Sequence, residues 1–303
     1  ASFSFILIML MLFAQGFAYL DEFVRGFTGS EVLMAVLFFG ILGLAADILS
    51  TPFSIYHTFV IEEKYGFNKT KPLTFLTDKL KGWLLGGLIG GGILALITWI
   101  YTLSEDWFWL IAWGTIAVFT IFMSMFYSNI IVPLFNKQRP LDEGELRNSI
   151  EKFARKVGFK LKDIYVIDGS KRSSKANAYF TGIGPKKRIV LFDTLIEKHT
   201  VDELTAILAH EIGHYKLKHT REGLIVSLLQ TAVMLFILNL FISNPVLSAA
   251  LGAEKASFHM GILAFGLLYS PISMIIDLLM NARPRQNEYA ADFSNVQGQE
   301  NVK

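Results

Sequence analysis

Two histidines and a glutamate are spaced so that together they could bind a metal ion and use it in catalysis. The segment HEIGH places His210 and His214 four residues apart, with Glu211 directly after the first histidine. On an α-helix, residues i and i+4 lie on one face about one turn apart, so two imidazoles can share one zinc ion. Glu211 lies about 100° around the same helix and can act as general base on a water held by that metal. The motif therefore predicts the core of a zinc hydrolase site.

The surrounding residues predict that this motif lies on a helix and not in a loop. The segment VDELTAILAHEIGHYKLKH, residues 201–219, carries apolar side chains at helical spacing, namely Leu204, Ile207, Leu208 and Ile212. A stripe of this period is typical of a helix that packs one face on a core. We therefore expect a single helix to carry both histidines.

A catalytic zinc ion usually takes three protein ligands and leaves one position for water, so a third ligand is needed. The candidate is Glu288 in the segment RQNEYAAD, with Asp292 four residues further on. On a helix these two carboxylates share a face. Glu288 can then bind zinc while Asp292 accepts a hydrogen bond from a ligand histidine and fixes its tautomer. Taken alone, the pair could also be an ordinary solvated acidic face, but beside HEIGH it predicts one Zn²⁺ per chain.

The composition predicts a membrane protein. Of the 303 residues, 52% are hydrophobic and none is cysteine, and the mean hydropathy is +0.44. A chain of this size and apolarity is typical of the membrane class, so the lipid bilayer is an expected partner. The absence of cysteine excludes disulfides, thiol nucleophiles and thiolate zinc sites. The net charge of +2 gives no indication of a nucleic-acid partner.

Six apolar stretches are long enough to be membrane-spanning helices: residues 3–20, 31–48, 82–102, 107–135, 222–243 and 258–280. The first has neither the basic leader nor a clear cleavage site of a signal peptide, so we interpret it as a span. Basic residues concentrate in alternate loops, at 49–81, at 136–221 and from 281 onward. By the positive-inside rule these regions are cytoplasmic. HEIGH and Glu288 are thereby predicted on the same side of the membrane, as one metal site requires.

The long loop between the fourth and fifth spans, residues 136–221, is predicted to be a small α+β insert. Residues 141–158 have the pattern of an amphipathic helix, and three segments have the pattern of strands, at 163–168, 175–184 and 187–196. A strand beside a zinc helix can pair its open edge with an extended peptide and hold the scissile bond near the metal. The alternative for the NAYF segment, residues 177–180, is an ordinary sheet strand.

Four blocks of sequence resemble one known family. TPFSIYHTFVIEEKYGFNKT, VIDGSKRSSKANAYFTG with KRIVLFDTLI, HEIGHYKLKHT and NEYAAD occur in this order, and together they resemble the type I CAAX prenyl endopeptidases, which are integral-membrane zinc proteases. The resemblance implies a mostly α, multi-spanning bundle that encloses a water-filled chamber, with the zinc site facing into it. It also implies cleavage of the peptide bond after a prenylated cysteine near the C-terminus of a protein or peptide substrate.

The resemblance assigns roles to individual residues. Zinc ligands are implied at His210, His214 and Glu288, and a general base at Glu211. A substrate-holding strand is implied at Asn177, Ala178, Tyr179 and Phe180. The chain is then expected to contain four spans with a basic loop (1–135), the catalytic insert (136–221), two further spans (222–280) and a region with the third ligand (281–303).

The chain departs from the family pattern at both ends. The family has seven spanning helices and we count six, so we expect the chain to begin after the family's first helix and to stop soon after NEYAAD. Pro284 stands where the family commonly has serine, a change that the start of a helix tolerates.

Two other functions remain open. A membrane quality-control protease of the HtpX type would apply the same HExxH chemistry to misfolded membrane proteins, although the GFNKT and SKRSSKANAYF blocks favour the CAAX type. A non-catalytic membrane scaffold would keep zinc for structure only. Glu211 argues against the scaffold, because a structural zinc site needs no general base. His199 and His259 show no pattern that indicates a function.

Overall fold

The computed structural model describes residues 2–156, 158–159, 161–181, 188–217 and 219–280, and it describes residues 211–216 and 279 by their backbone alone. The described chain forms two compact units. The first contains the residues up to 52, then 79–116 and 228–279, and the second contains 53–78 and 117–227. The division into four segments expected from the sequence remains a prediction.

Helices make up most of the described chain. Those before the sheet are α1 (Ser2–Phe13), α2 (Gly16–Arg25), α3 (Glu31–Tyr56), α4 (Pro72–Leu85), α5 (Gly91–Leu103), α6 (Phe108–Ile130) and α7 (Val132–Phe135). A π-helical segment at His57–Glu62 extends α3, and another at Gly86–Gly90 joins α4 to α5. The second lies in the run GGLIGGG, where residues without a Cβ tolerate a widened turn.

The α+β insert contains the sheet and the helix that carries HEIGH. Its elements are β1 (Gln138–Pro140), α8 (Glu145–Lys156), β2 (Asp163–Ile167), β3 (Ala178–Thr181), β4 (Arg188–Phe192), α9 (Asp193–Lys198) and α10 (Val201–Lys216). The segment predicted as a third strand, 187–196, changes at Phe192 into the short helix α9. Strand β1 is not among the predicted strands, because three residues that include a proline show no alternating pattern.

The four strands have the order β1-β2-β4-β3. The central strands β2 and β4 are parallel, and β1 and β3 pair with them antiparallel at the edges. One face of the sheet forms a core with α8 and α10, whose most buried members are Ile150, Ile164, Ile189, Leu191, Leu204 and Leu208. Because side chains alternate along a strand, Tyr165 and Arg188 lie on the opposite face.

The chain continues with α11 (His219–Phe241), α12 (Pro245–Ala250) and α13 (Phe258–Met280). In the first unit, an aromatic cluster joins α5, α6 and α13. The ring of Tyr101 lies 5.4 Å from that of Phe108 and 4.7 Å from that of Phe258. The Phe108 and Phe258 rings meet edge to face at 5.6 Å, a favoured geometry for aromatic pairs.

Five helical stretches are long and apolar enough to cross a membrane: Glu31–Glu62, Pro72–Leu103, Phe108–Phe135, His219–Phe241 and Phe258–Leu278. Helices α1 and α2 pass the same test only as a pair bent by 67°. The predicted first span, 3–20, is therefore broken. At the break, Gln15 has a left-handed φ of 53°, which a right-handed helix does not continue through. The described chain has five spans, or six if the bent pair is counted as one.

Large apolar side chains remain exposed on these helices. Val118 and Leu278 are 70 and 75% exposed. Apolar surface of this kind marks an interaction site or contact with lipid, and its position on helices of spanning length favours contact with lipid.

Candidate functional site

Helix α10 carries the HEIGH motif. It runs unbroken from Val201 to Lys216, so His210 and His214 occupy one face of a continuous helix. The side chain of His210 is half-buried. The side chains of Glu211 and His214 are not among those described, and Glu288 and Asp292 lie outside the described residues. A pair of imidazoles at this spacing on an unbroken helix fits the donor set of a zinc ion.

A capping box fixes the start of α10. The carboxylate of Glu203 accepts hydrogen bonds from the N–H and the hydroxyl of Thr200, at 2.8 and 3.1 Å. The Glu203 N–H in turn donates to Thr200 Oγ1 at 3.4 Å. These bonds, with a smaller contribution from His199, hold the pKa of Glu203 below its usual value. The box fixes the residue at which the helix begins. It thereby also fixes how far along the helix His210 lies.

The apolar stripe of α10 attaches this helix to the sheet. Leu204 and Leu208 are each 1% exposed and belong to the sheet core, and Ile207 packs against it. Three positions of the predicted stripe are thereby confirmed. The side chain of the fourth, Ile212, is not described. The contact places the HEIGH helix directly on one face of the sheet.

Strand β3, the predicted substrate strand, lies at an edge of the described sheet. The Phe192 N–H donates to the carbonyl of Asn177 at 3.0 Å, so the backbone groups of Asn177 and Tyr179 point toward β4. Those of Ala178 and Phe180 therefore point toward the open edge. The Ala178 N–H is bonded to Asn177 Oδ1 at 2.9 Å. An incoming strand would find the Phe180 N–H and the carbonyls of Ala178 and Phe180.

The side chain of Tyr179 connects β3 to the end of α6. Its hydroxyl lies 3.4 Å from that of Ser128, which also accepts a hydrogen bond from Gln138 Nε2 at 3.4 Å. Burial raises the pKa of the Tyr179 phenol, so this group stays protonated at neutral pH. The predicted substrate strand is thereby fixed to a helix of spanning length by polar contacts.

An arginine side chain joins helix α4 to the segment that leads into β3. Arg172 donates through Nε and Nη2 to the two carboxylate oxygens of Asp78, at 2.7 and 2.8 Å. It also donates to Asn136 Oδ1 and to the Phe135 carbonyl, at 2.9 Å each. The Arg172 and Asp78 side chains are about a quarter exposed, at 24% and 23%. Bidentate pairing of this kind is strong and geometrically specific.

The backbone around Arg172 strengthens the same connection. Asn68 and Ser173 form an isolated antiparallel bridge. The Arg172 carbonyl accepts from the N–H of Lys69 and from the hydroxyl of Thr70, both at 3.0 Å. The GFNKT and SKRSSK blocks lie far apart in the sequence, and each is recognisable separately as part of the family resemblance. Their contact across about a hundred residues has no signature in a single sequence.

The first unit contains a buried polar pair that the sequence does not indicate. His259 Nε2 lies 2.6 Å from Asp21 Oδ1, and Arg25 Nε donates to Asp21 Oδ2 at 2.9 Å. Both His259 and Asp21 are buried. A lone histidine in an apolar stretch gives no signal for such a pair. The contact ties α2 to α13 and involves none of the predicted site residues.

Comparison with known proteins identifies matches over nearly the whole chain. The family described as "CAAX prenyl protease N-terminal, five membrane helices" matches residues 1–137, and "Peptidase family M48" matches residues 140–300. The Schizosaccharomyces pombe protein named "Probable CAAX prenyl protease 1" is 40% identical over 259 residues, covering 85% of this chain and 54% of that protein. "CAAX prenyl protease 1" of Saccharomyces cerevisiae is 38% identical over 286 residues, covering 89% and 63%.

One solved structure is similar to this chain over most of the length of both. The crystal structure of S. mikatae Ste24p matches with a TM-score of 0.90 at 34% sequence identity, covering 96% of this chain and 73% of that one. The chain spans between about half and two thirds of the length of the two curated relatives, at 54% and 63%.

Proposed function

Because this chain belongs to peptidase family M48 and carries the membrane helices of the CAAX prenyl protease N-terminal family, we propose that it is a zinc-dependent membrane endopeptidase acting near the C-terminus of CAAX-type substrates. The predicted family is confirmed, and so is the mostly helical, multi-spanning fold with a small sheet. The chain is an integral membrane protein, and its family implies a metal cofactor. The chamber remains a prediction.

The packing of α10 on the sheet that contains β3 is the observation that carries this proposal. A peptidase must hold an extended peptide beside its metal and its general base. Leu204 and Leu208 bury the HEIGH helix against the sheet, and β3 offers an open edge in the same compact unit. The edge can take an added strand through main-chain hydrogen bonds. This arrangement supports peptide hydrolysis over a purely structural metal site.

The proposed chemistry uses few side chains. His210, His214 and Glu288 would hold zinc, with Asp292 orienting a ligand histidine through a hydrogen bond. When bound, zinc supplies a Lewis acid that polarises the scissile carbonyl and acidifies a water molecule. Glu211 takes the proton of the attacking water and then returns it to the leaving amine.

The substrate would lie along β3 as an additional strand. The Phe180 N–H and the carbonyls of Ala178 and Phe180 would supply its main-chain partners. The two relatives are named as CAAX prenyl protease 1, and on this basis the proposed reaction is cleavage after a prenylated cysteine. The alternating basic loops support a cytoplasmic catalytic side, in the endoplasmic reticulum of a eukaryotic host or the inner membrane of a bacterial one.

The decisive experiment is cleavage of a farnesylated CAAX peptide by the purified protein, with and without a zinc chelator. We expect chelation to abolish cleavage and zinc to restore it. Glu211→Gln should keep zinc, measured by elemental analysis, and lose on the order of a hundredfold or more in rate. Glu197→Gln, at an exposed position on α9, is the matched control and should remain active.

Two outcomes would redirect the assignment. Equal cleavage of the farnesylated and the unmodified peptide would favour the quality-control protease. Near-normal turnover by Glu211→Gln would refute the role of Glu211 as general base.

A further inference from the structure

A groove of about 820 Å³ lies in the second unit, on the face of the sheet opposite α10. Its lining includes Asn129, Lys137, Arg139, Tyr165, Asp168 and Arg188. Tyr165 and Arg188 alternate with the core residues Ile164 and Ile189, so the sheet itself separates this groove from the HEIGH helix. The groove is therefore not part of the candidate metal site.

We propose that this groove binds the phosphate of an anionic phospholipid headgroup. The lining contains three basic residues, Lys137, Arg139 and Arg188, and two acidic ones, Asp168 and Asp193. Guanidinium and ammonium groups are the usual protein partners of phosphate. The proposal depends on whether the two carboxylates or the three cations are available to a ligand.

The carboxylates are already occupied by hydrogen-bond donors. Asp168 Oδ1 accepts from Asn136 Nδ2 at 2.9 Å and from the Lys137 N–H at 2.8 Å. Asp193 accepts from the N–H and the hydroxyl of Ser170, at 2.8 and 2.5 Å. Because these donors bind Asp168 Oδ1 and both carboxylate oxygens of Asp193, the two acids repel an incoming anion less than free carboxylates would.

The cationic side chains are more available to a ligand than the carboxylates are. Arg188 stacks on the Tyr165 ring, with Cζ 4.8 Å from the centroid, and donates Nη1 to Asn129 Oδ1 at 2.5 Å. The stacking orients the guanidinium plane, and no described residue accepts a hydrogen bond from Nε or Nη2, so both can donate to a ligand. Among the described residues no hydrogen-bond acceptor lies at Lys137 Nζ. Arg139 pairs with Asp142 at 3.1 Å, but the two side chains are 69% and 83% exposed, and a pair so exposed is weak and exchanges readily.

The position of the groove along the chain selects a lipid as the source of the phosphate. The span Phe108–Phe135 ends at the groove, because Asn129 and Pro133 line it. Lys137 and Arg139 follow that end within four residues. Cationic residues directly after a spanning helix lie at the level of the headgroups and attract anionic lipids. A bound headgroup would hold the sheet against the membrane surface.

The test measures binding of short-chain lipids to the full chain purified in detergent. Dioctanoyl phosphatidylglycerol, dioctanoyl phosphatidylcholine and inorganic phosphate are titrated separately by calorimetry. We expect phosphatidylglycerol to bind at least about tenfold more tightly than phosphatidylcholine, and the double variant Lys137→Gln/Arg188→Gln to lose roughly tenfold or more of that affinity. The control Lys152→Gln/Lys162→Gln removes the same charge at exposed positions of the second unit and should bind as the wild type.

Each alternative outcome overturns the proposal. Equal affinity for the two lipids, or an equal loss in the control, would indicate attraction without a site. Inorganic phosphate binding as tightly as phosphatidylglycerol would assign the groove to free phosphate. If the double variant does not fold, Lys137→Glu alone, at an exposed side chain, must still weaken phosphatidylglycerol binding by about fivefold or more. This test is independent of peptidase activity.

Discussion

The pair Arg172–Asp78 should supply a measurable part of the stability of the segment that leads into β3. The guanidinium makes two charge-assisted bonds to Asp78, at 2.7 and 2.8 Å, and two more to neutral acceptors. Bonds to charged groups contribute about 1.5–3 kcal/mol each in net terms. Because both side chains are about a quarter exposed, we take the lower part of that range. The expected coupling between the two side chains is about 2 kcal/mol.

A double-mutant cycle of Arg172→Ala and Asp78→Ala isolates this coupling. The five tryptophans all lie in the first unit, whereas β3 lies in the second, so a probe within the second unit is needed. Hydrogen–deuterium exchange of peptides covering 163–192 reports local opening free energies instead. Arg172→Ala alone should lower the local opening free energy by about 3 kcal/mol, since it also leaves the Phe135 and Asn136 acceptors without their donor. Loss of 2 kcal/mol of local opening free energy makes exchange roughly 30-fold faster at 25 °C.

The variant Arg172→Lys keeps the charge but loses the bidentate geometry, so it should fall between the wild type and Arg172→Ala. A coupling below about 0.5 kcal/mol, the size typical of exposed ion pairs, would refute the reasoning. The reasoning would also be refuted if Arg172→Ala had an effect of the same size in the wild type and in the Asp78→Ala background.

Three further predictions concern the elements around α10. Leu208→Ala should destabilise the second unit by about 2–5 kcal/mol because it opens a cavity in the sheet core, as exchange of the same peptides would show; an unchanged pattern would contradict the core assignment. Gly169→Ala should cost about 1–3 kcal/mol, since the added Cβ meets the ring of Phe192, and thermal unfolding measures this loss. Glu203 has a lowered pKa, so its contribution to stability is complete above its ordinary value of 4.5 and is lost as the pH falls through the lower folded value. Thermal unfolding across this range should therefore show a loss in the wild type that Glu203→Gln lacks, and parallel profiles would argue against the capping box.

Local features of this protein could be read from the sequence because their causes lie within a few residues. The helix of HEIGH follows from the stripe of Leu204, Ile207 and Leu208 and from the box that begins at Thr200. The amphipathic helix at 141–158 and the strand at 163–168 follow from their periods and appear as α8 and β2. A period of 3.6 or 2 residues needs no distant partner to be visible. The spacing of His210 and His214 likewise fixes their shared helix face.

Span boundaries were harder to predict, because hydropathy marks the part of a helix that suits lipid and not the whole helix. The second and third spans, predicted at 31–48 and 82–102, lie in the longer stretches Glu31–Glu62 and Pro72–Leu103. The break at Gln15 interrupts a stretch whose composition is mostly apolar. Its backbone conformation, and not its hydropathy, divides that stretch into α1 and α2.

The sequence by itself determined the HEIGH motif, the apolar spans and the face of α10 that is buried, because each depends on residue type and near spacing. Only the tertiary structure decided that β3 is an edge strand, that Arg172 reaches Asp78 across 94 residues, and that Arg188 meets Asn129 beside a groove. These features depend on which distant segments share a sheet or a loop contact. The free energy of such contacts is gained only after the chain has closed large loops, and no short-range pattern records that closure.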